Sequence, residues 1–239
     1  MTASRPAHRI TGPLRTWYDM HEALSHEVTA LAEMSAHLAA GELGEFAQRF
    51  SYFDQELRTH SEVEDGIIFP AIAQRGGAIA PELVAEHQEE QLRVYALGTA
   101  ILHAKATRDG RSLSALAPLS GALRDSLRNH LQLEEAEALS QVDDLFTTDE
   151  QAELLRAIMS SLPADPHLQP WVAAALTPEH LEARLRNMAA SLNHTALVGV
   201  LTQIHDGVDV ATWAAVRSRV PDLAALVAGD MTNRGNRAG

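Results

Sequence analysis

Two His-x-x-x-Glu elements stand 70 residues apart: His60 with Glu64 in THSEVEDGIIFPAI, and His130 with Glu134 in RNHLQLEEAEAL. Each sits inside a strongly helical pattern. A spacing of four places an imidazole and a carboxylate on one helix face, one turn apart, so both can grip the same metal centre. Two helices equipped in this way can build a dinuclear site, provided they lie side by side with these faces turned inward. The fold has to supply that arrangement.

The surrounding pattern predicts such helices. From Pro13 to about Ala40, apolar residues recur at intervals of three and four (Leu24, Val28, Leu31, Met34, Leu38) until Gly41 and Gly44 interrupt. A second pattern runs from about Glu45 through Phe46, Phe50, Phe53, Leu57, Ile67 and Ile68, with Pro70 and Gly76-Gly77 marking its end. The third starts at Pro81, a first-turn proline, and runs to Thr107, where Arg108-Asp109-Gly110 stops it. The fourth covers about Leu113 to Val142, with Pro118 in its first turns. Strand-like alternation is almost absent. The expected fold is therefore all-α: an up-and-down four-helix bundle over residues 13–146. Thr147-Thr148-Asp149-Glu150 reads as a fresh helix start, and proline-punctuated shorter helices predict a smaller helical region over residues 147–228. Residues 1–12 are expected to be a flexible N-terminus and residues 229–239 a disordered tail.

Each bundle helix offers one histidine near its middle: His21, His60, His87 and His130. Helices of similar length running alternately up and down bring such positions to similar depth. One histidine per helix, with two carboxylates at the fourth residue onward, predicts a metal site made of His21, His60, Glu64, His87, His130 and Glu134. An inward-facing carboxylate cluster without a cation would be costly, since each unpaired buried charge costs several kcal/mol. Other histidines lack partners in this repeated arrangement, so His8, His37, His103, His167, His180, His194 and His205 read as structural or surface residues. His26, five residues after His21, is a reserve ligand only. Glu135 can replace Glu134 if the helix is slightly unwound. Tyr18, Tyr52 and Tyr95 read as core residues with satisfied hydroxyls, and Trp171 and Trp213 as packing residues of the helical C-terminal region.

Composition narrows the chemistry. The 239 residues include no cysteine, so any metal must be held by nitrogen and oxygen. A formal charge of −13 repels phosphate backbones, and no Lys/Arg stripe interleaves with aromatics, so nucleic acid is not expected as a partner. No stretch of 18 apolar residues occurs and no apolar run follows the basic N-terminal residues. A soluble, cytoplasmic protein without a membrane partner is the expectation.

The motifs MHEALSHEV, HSEVEDGIIFPAI, EHQEEQL and NHLQLEEAEAL together resemble those of the hemerythrin-like HHE cation-binding family, over residues 13 to about 145. The resemblance implies two iron ions joined by an oxo or hydroxo bridge, with His21, His60, His87 and His130 as terminal ligands and Glu64 and Glu134 as bridging carboxylates. Zinc or manganese in a structural role is the alternative, since imidazole and carboxylate accept all three. One departure stands out: oxygen-carrying hemerythrins place a second histidine four residues after the third-helix ligand, and here that position is Gln91. Glu90 or water could fill the place. Two six-coordinate irons offer about 12 positions, and this ligand set leaves about two of them open. Such a site suits O2, another diatomic or peroxide as ligand, with redox, oxidoreductase or sensing function. An enzyme of this kind would be an oxygenase, a peroxidase or catalase-like protein, or a nitric oxide-handling protein. The segment DEQAELLRAIMSSLPADPHLQPWVAAALTPEHLEARL is similar to the helical stretch after the hemerythrin domains of plant iron-sensing ubiquitin ligases. Ligase activity is not implied, because those ligases carry cysteine-rich zinc modules. A protein partner for the C-terminal helices is the expectation that remains.

Overall fold

The computed structural model describes residues 10–162 and 164–227, in which helices are joined by turns and loops, with no strand among them. His8, the first nine residues of the expected flexible N-terminus and the expected tail at 229–239 lie outside the described residues. The chain divides into two compact units, residues 24–145 and a second assembled from residues 1–23 with 146–239.

Four long helical segments shape the first unit. Helix α1 (Thr16–Ala36) follows a single 3-10 turn at Pro13–Arg15 and ends four residues short of the apolar pattern's reach. Helix α2 (Leu43–Val63) continues through a π-helical turn at Glu64–Ile68 into α3 (Phe69–Gln74). Proline at position 70 explains the widened turn. It has no N–H for the carbonyl four residues back and its ring would crowd that oxygen. The helix responds by bonding the Phe69 N–H to the Glu64 carbonyl, five residues back, and so carries on past the proline instead of fraying there. Helix α4 (Pro81–Thr107) starts with proline in its first turn and stops at Arg108, whose left-handed backbone (φ 54°) closes a bond to the Ala104 carbonyl. A short helix α5 (Gly110–Ser114), capped by Asp109, leads into α6 (Leu116–Glu137), and a 3-10 turn at Leu139–Gln141 joins α7 (Val142–Leu145). Pro118 lies in the first turn of α6, where the missing N–H has no intrahelical role.

One rule of spacing organises these helices. On α2 the buried residues Phe46, Phe50, Phe53, Leu57, His60 and Glu64 follow at four, three, four, three and four. On α4 the buried series is Leu83, His87, Glu90, Val94, Leu97 and Ile101; on α6 it is Leu116, Ser120, Leu123, Leu127, His130 and Glu134. Each is the seam by which packed helices bury a stripe against one another. The chemistry-bearing side chains therefore occupy positions where an ordinary bundle would carry leucine. Helix α4 packs against both α2 and α6. The Arg49 guanidinium of α2 grips Glu27 of α1 with two bonds of 2.8 and 2.9 Å.

The second unit is a set of short helices: α8 (Thr148–Ser161), α9 (Leu168–Ala175), α10 (Pro178–Ser191), α11 (His194–Gly207) and α12 (Val210–Arg219). Thr147, Thr177, Asn193 and Asp209 each accept a backbone N–H three residues on, satisfying orphan donors and fixing each start. At Thr147 the cap is reciprocal, since Glu150 reaches back to the Thr147 N–H at 2.8 Å. Leu185, Met188, Leu201, Ile204 and Val220 form its core, and Trp171 and Trp213 pack against that core as expected. Residues at the start of α1 belong here: Arg184 of α10 donates to Asp19 Oδ2 at 3.2 Å and to the Thr16 carbonyl at 3.4 Å, while Gln169 takes its other amine at 3.0 Å. No described helix is long and apolar enough to cross a membrane.

Candidate metal centre

Glu64 is the hub of the first unit's interior. It is fully buried, at the junction of α2 with the π-helical turn, and its two oxygens reach imidazoles on different helices. Oε1 lies 2.9 Å from Nε2 of His60 on α2, and Oε2 lies 3.2 Å from Nε2 of His87 on α4. His130, on α6, joins Glu64 and His87: one ligand atom from each lies within 4.8 Å of the others. His60, Glu64 and Glu134 are gathered within the same distance. All five side chains are buried. Two clusters thus share one carboxylate.

His87 and His130 are oriented from behind. The Nδ1 of His87 lies 3.1 Å from Oδ1 of Asp65, and the Nδ1 of His130 lies 2.9 Å from Oε2 of Glu86. A carboxylate there takes the Nδ1–H and leaves the Nε2 lone pair for an ion. The rings meet edge to face, 4.8 Å between centroids, and Phe69 lies parallel to His87 at 6.0 Å. Burial works to lower the pKa of His87, but the Glu64 and Asp65 carboxylates outweigh it, and the group is pushed up to about 9. For His130 burial prevails, aided by the charge of His87, and its pKa is lowered despite Glu86.

Glu90 is the most telling acid. It lies one turn after His87 on the same seam of α4, 2% exposed, and neither oxygen has a hydrogen-bond partner. Burial pushes its pKa up to about 8, with the negative charges of Glu64, Glu86 and Glu134 adding and His87 opposing. The Nε2 of His130 is likewise without a hydrogen-bond partner. Buried polar atoms in this state are costly unless something pairs with them. Three buried carboxylates beside three imidazoles make a donor set of nitrogen and oxygen that fits a hard or intermediate cation.

The remaining sequence candidates fall out as follows. His21 is fully buried on α1, edge to face with Tyr18 at 6.2 Å. His26 is exposed, while Gln91 and Glu135 are half-buried. Among the other histidines, His37, His103, His167 and His194 are exposed, His180 pairs with Glu22 at 2.8 Å, and His205 bonds Asp206 at 2.6 Å. Tyr95 is a correction: at 74% exposure it is no core residue, because it sits on the outward face of α4. Asp65 and Glu86 were not among the candidates, since a carboxylate next to a candidate residue in sequence looks like an ordinary solvated charge. The available signal was adjacency, as each directly follows or precedes a buried seam residue, Glu64 or His87.

The family model of the hemerythrin HHE cation binding domain matches residues 12–142. Among curated proteins, two zinc finger BRUTUS-like proteins of Arabidopsis thaliana are 26% and 24% identical over 187 and 219 residues, covering 72% and 82% of this chain. The zinc finger protein BRUTUS of the same plant is 24% identical over 170 residues, or 69% of the chain. The matches span only 15%, 17% and 14% of those proteins' own lengths. No solved structure matches.

Proposed function

The chain belongs to the hemerythrin HHE cation-binding family, and from that premise we propose that it is a non-haem di-iron protein whose open histidine and carboxylate site binds O2 or a reactive oxygen or nitrogen species. In this reading His60, Glu64, His87, His130 and Glu134 would hold the two irons. One observation carries it: Glu64 offers its two oxygens to two helices at 2.9 and 3.2 Å from the facing imidazole nitrogens. A cation between such an oxygen and nitrogen would take both as ligands.

Bound iron would supply Lewis acidity and one-electron redox chemistry. The chain's own residues set the conditions for it. Asp65 and Glu86 hold the Nδ1 protons of His87 and His130, so that both rings present Nε2. Phe69 covers one face of His87, and the leucines of the three seams keep bulk water out. Glu90 holds a proton at its carboxyl at neutral pH, inside the site and on the position next to Gln91, where it can give up that proton and add an oxygen ligand. Redox or oxidoreductase activity follows from coordination positions left open for a small ligand.

A second reading is a metal-responsive sensor whose C-terminal helices bind a protein partner. It is favoured by the similarity to a BRUTUS-like protein over 219 residues, which extends well past the bundle. Anaerobic loading with two equivalents of Fe(II), followed by air, tests the first reading. The expected outcome is an oxo-to-iron charge-transfer absorption that His60→Ala loses; its absence in the unaltered protein refutes the di-iron oxygen chemistry. Turnover of peroxide or nitric oxide by the loaded protein supports an enzyme. For the sensor, iron should alter limited proteolysis within residues 148–227, and unchanged cleavage there counts against it.

A further inference from the structure

One short stretch of backbone, from Glu64 to Phe69, meets the His87 ring on three sides. Glu64 Oε2 lies 3.2 Å from its Nε2, Asp65 Oδ1 lies 3.1 Å from its Nδ1, and the Phe69 ring lies parallel to it, 6.0 Å between centroids and 3° between planes. A regular α-helix would not bring these three together. Phe69 comes five residues after Glu64, and at 3.6 residues per turn that spacing puts it about 140° round the axis, on the far side from the carboxylate. The π-helical turn removes that angle: the Phe69 N–H bonds the Glu64 carbonyl, so Phe69 stands one widened turn after Glu64 and on its face.

The burial pattern records the same extra residue. Up to Glu64 the buried series of α2 runs Phe53, Leu57, His60 and Glu64, at four, three and four. Continued unbroken at three, four and three, it would turn Ile67, Ala71 and Gln74 inward. Ile67 and Ala71 are instead half-buried and Gln74 is exposed, while Ile68, Phe69 and Ile72 are buried. The inward face has moved on by one residue, and Pro70, which cannot donate to a regular ladder, holds it there.

The three contacts divide the work. Carboxylates at the two nitrogens lie at the ring's edge and resist its swinging, and a flat neighbour against the ring face resists its tilting. We propose that the π-helical turn is a positioning device for the metal centre, in which Phe69 fixes the plane of the His87 ring and so keeps its Nε2 aimed into the interior. This rests on the reading of His87 as a metal ligand, but the orientation of the ring can be read without metal, so the two can fail separately.

Nuclear magnetic resonance of the metal-free full chain with 15N-labelled histidine tests it, on the unaltered protein beside Phe69→Leu and Ile68→Ala. The first variant keeps an apolar side chain and removes the flat face. The second removes buried carbon at the neighbouring position and keeps the face. In Phe69→Leu the ring signals of His87 should broaden while those of His130, held by Glu86, stay sharp; in Ile68→Ala both should stay sharp although the protein melts lower. Co(II) binding in competition with a chelator reads the consequence. Phe69→Leu should weaken it about tenfold, the scale on which a ligand's outer partners act, and Ile68→Ala should leave it unchanged. If Phe69→Leu does not fold, Phe69→Met, closer in length, replaces it under the same criteria. His87 signals that stay sharp without the phenyl ring overturn the proposal, and so do equal effects of the two variants. An unaltered protein that binds no Co(II) refutes the metal reading and leaves the ring signals to decide this one.

Discussion

His87 and His130 each present one nitrogen to a carboxylate at the rim and the other to the interior, and the first contact governs the second. Without the acceptor, an imidazole can rotate or change tautomer and offer a proton where a lone pair is needed. Glu86→Gln and Asp65→Asn keep shape and lose charge. Each should weaken metal binding about 10- to 100-fold, read by competition with a chelator, with little change in the fold. The buried acids give a second expectation at this scale, for the metal-free protein. Glu90 at about 8 and His87 at about 9 lie above their ordinary 4.5 and 6.5. Both therefore bind more protons folded than unfolded from pH 6.5 upward, and stability is lost as pH rises through 8 and 9. His130, whose pKa is lowered, acts in the opposite sense, but above pH 6.5 its proton has mostly left both states. Chelated protein should melt lower at pH 8.5 than at 6.5, by at least ~2 °C, the shift that about 1 kcal/mol gives a chain of this size. Glu90→Gln should flatten that slope, and added metal should abolish it.

At the scale of elements, the seam explains why the buried cluster of histidines and carboxylates was readable. His60, His87 and His130 replace apolar residues at core positions of a three-four pattern, and such replacements are visible in a sequence once the helices are drawn. Glu64 and Glu134 follow at the next turn. Asp65, Glu86 and the exposed Tyr95 were harder, because a charge beside a buried seam residue and an aromatic on a long helix each have a commoner meaning. The π-helical turn was hidden for a different reason: Pro70 reads as a stop, and only the five-back bond from Phe69 lets the helix pass it. In the second unit, the buried pair of Asp19 and Arg184, 2% and 4% exposed, anchors the first turns of α1 to α10. Burial raises the pKa of Asp19 and the guanidinium opposes that rise. Arg184→Met should cost about 3–5 kcal/mol in chemical denaturation, since it strands a buried carboxylate, and adding Asp19→Asn should recover a large part.

For the whole molecule, the family assignment was legible from four short motifs taken together, and the matched span of residues 12–142 agrees with it. The division of the chain inside α1, after Ala23, was not. A continuous helix shows no change of composition where its neighbours change, and Thr16 and Asp19 reveal their allegiance only through Arg184. The C-terminal helices, by contrast, announce themselves through caps at Thr147, Thr177, Asn193 and Asp209. What joins these levels is a buried set of carboxylates and imidazoles that a cation would neutralise, and binding to the folded form alone would stabilise the chain by mass action. Elemental analysis of the full chain, purified without added metal, is the most direct test, run beside Glu64→Ala. The expected result is close to two iron ions per chain in the unaltered protein and a large loss in the variant. A chain that carries no metal, or a variant that carries as much as its parent, would contradict the metal centre itself.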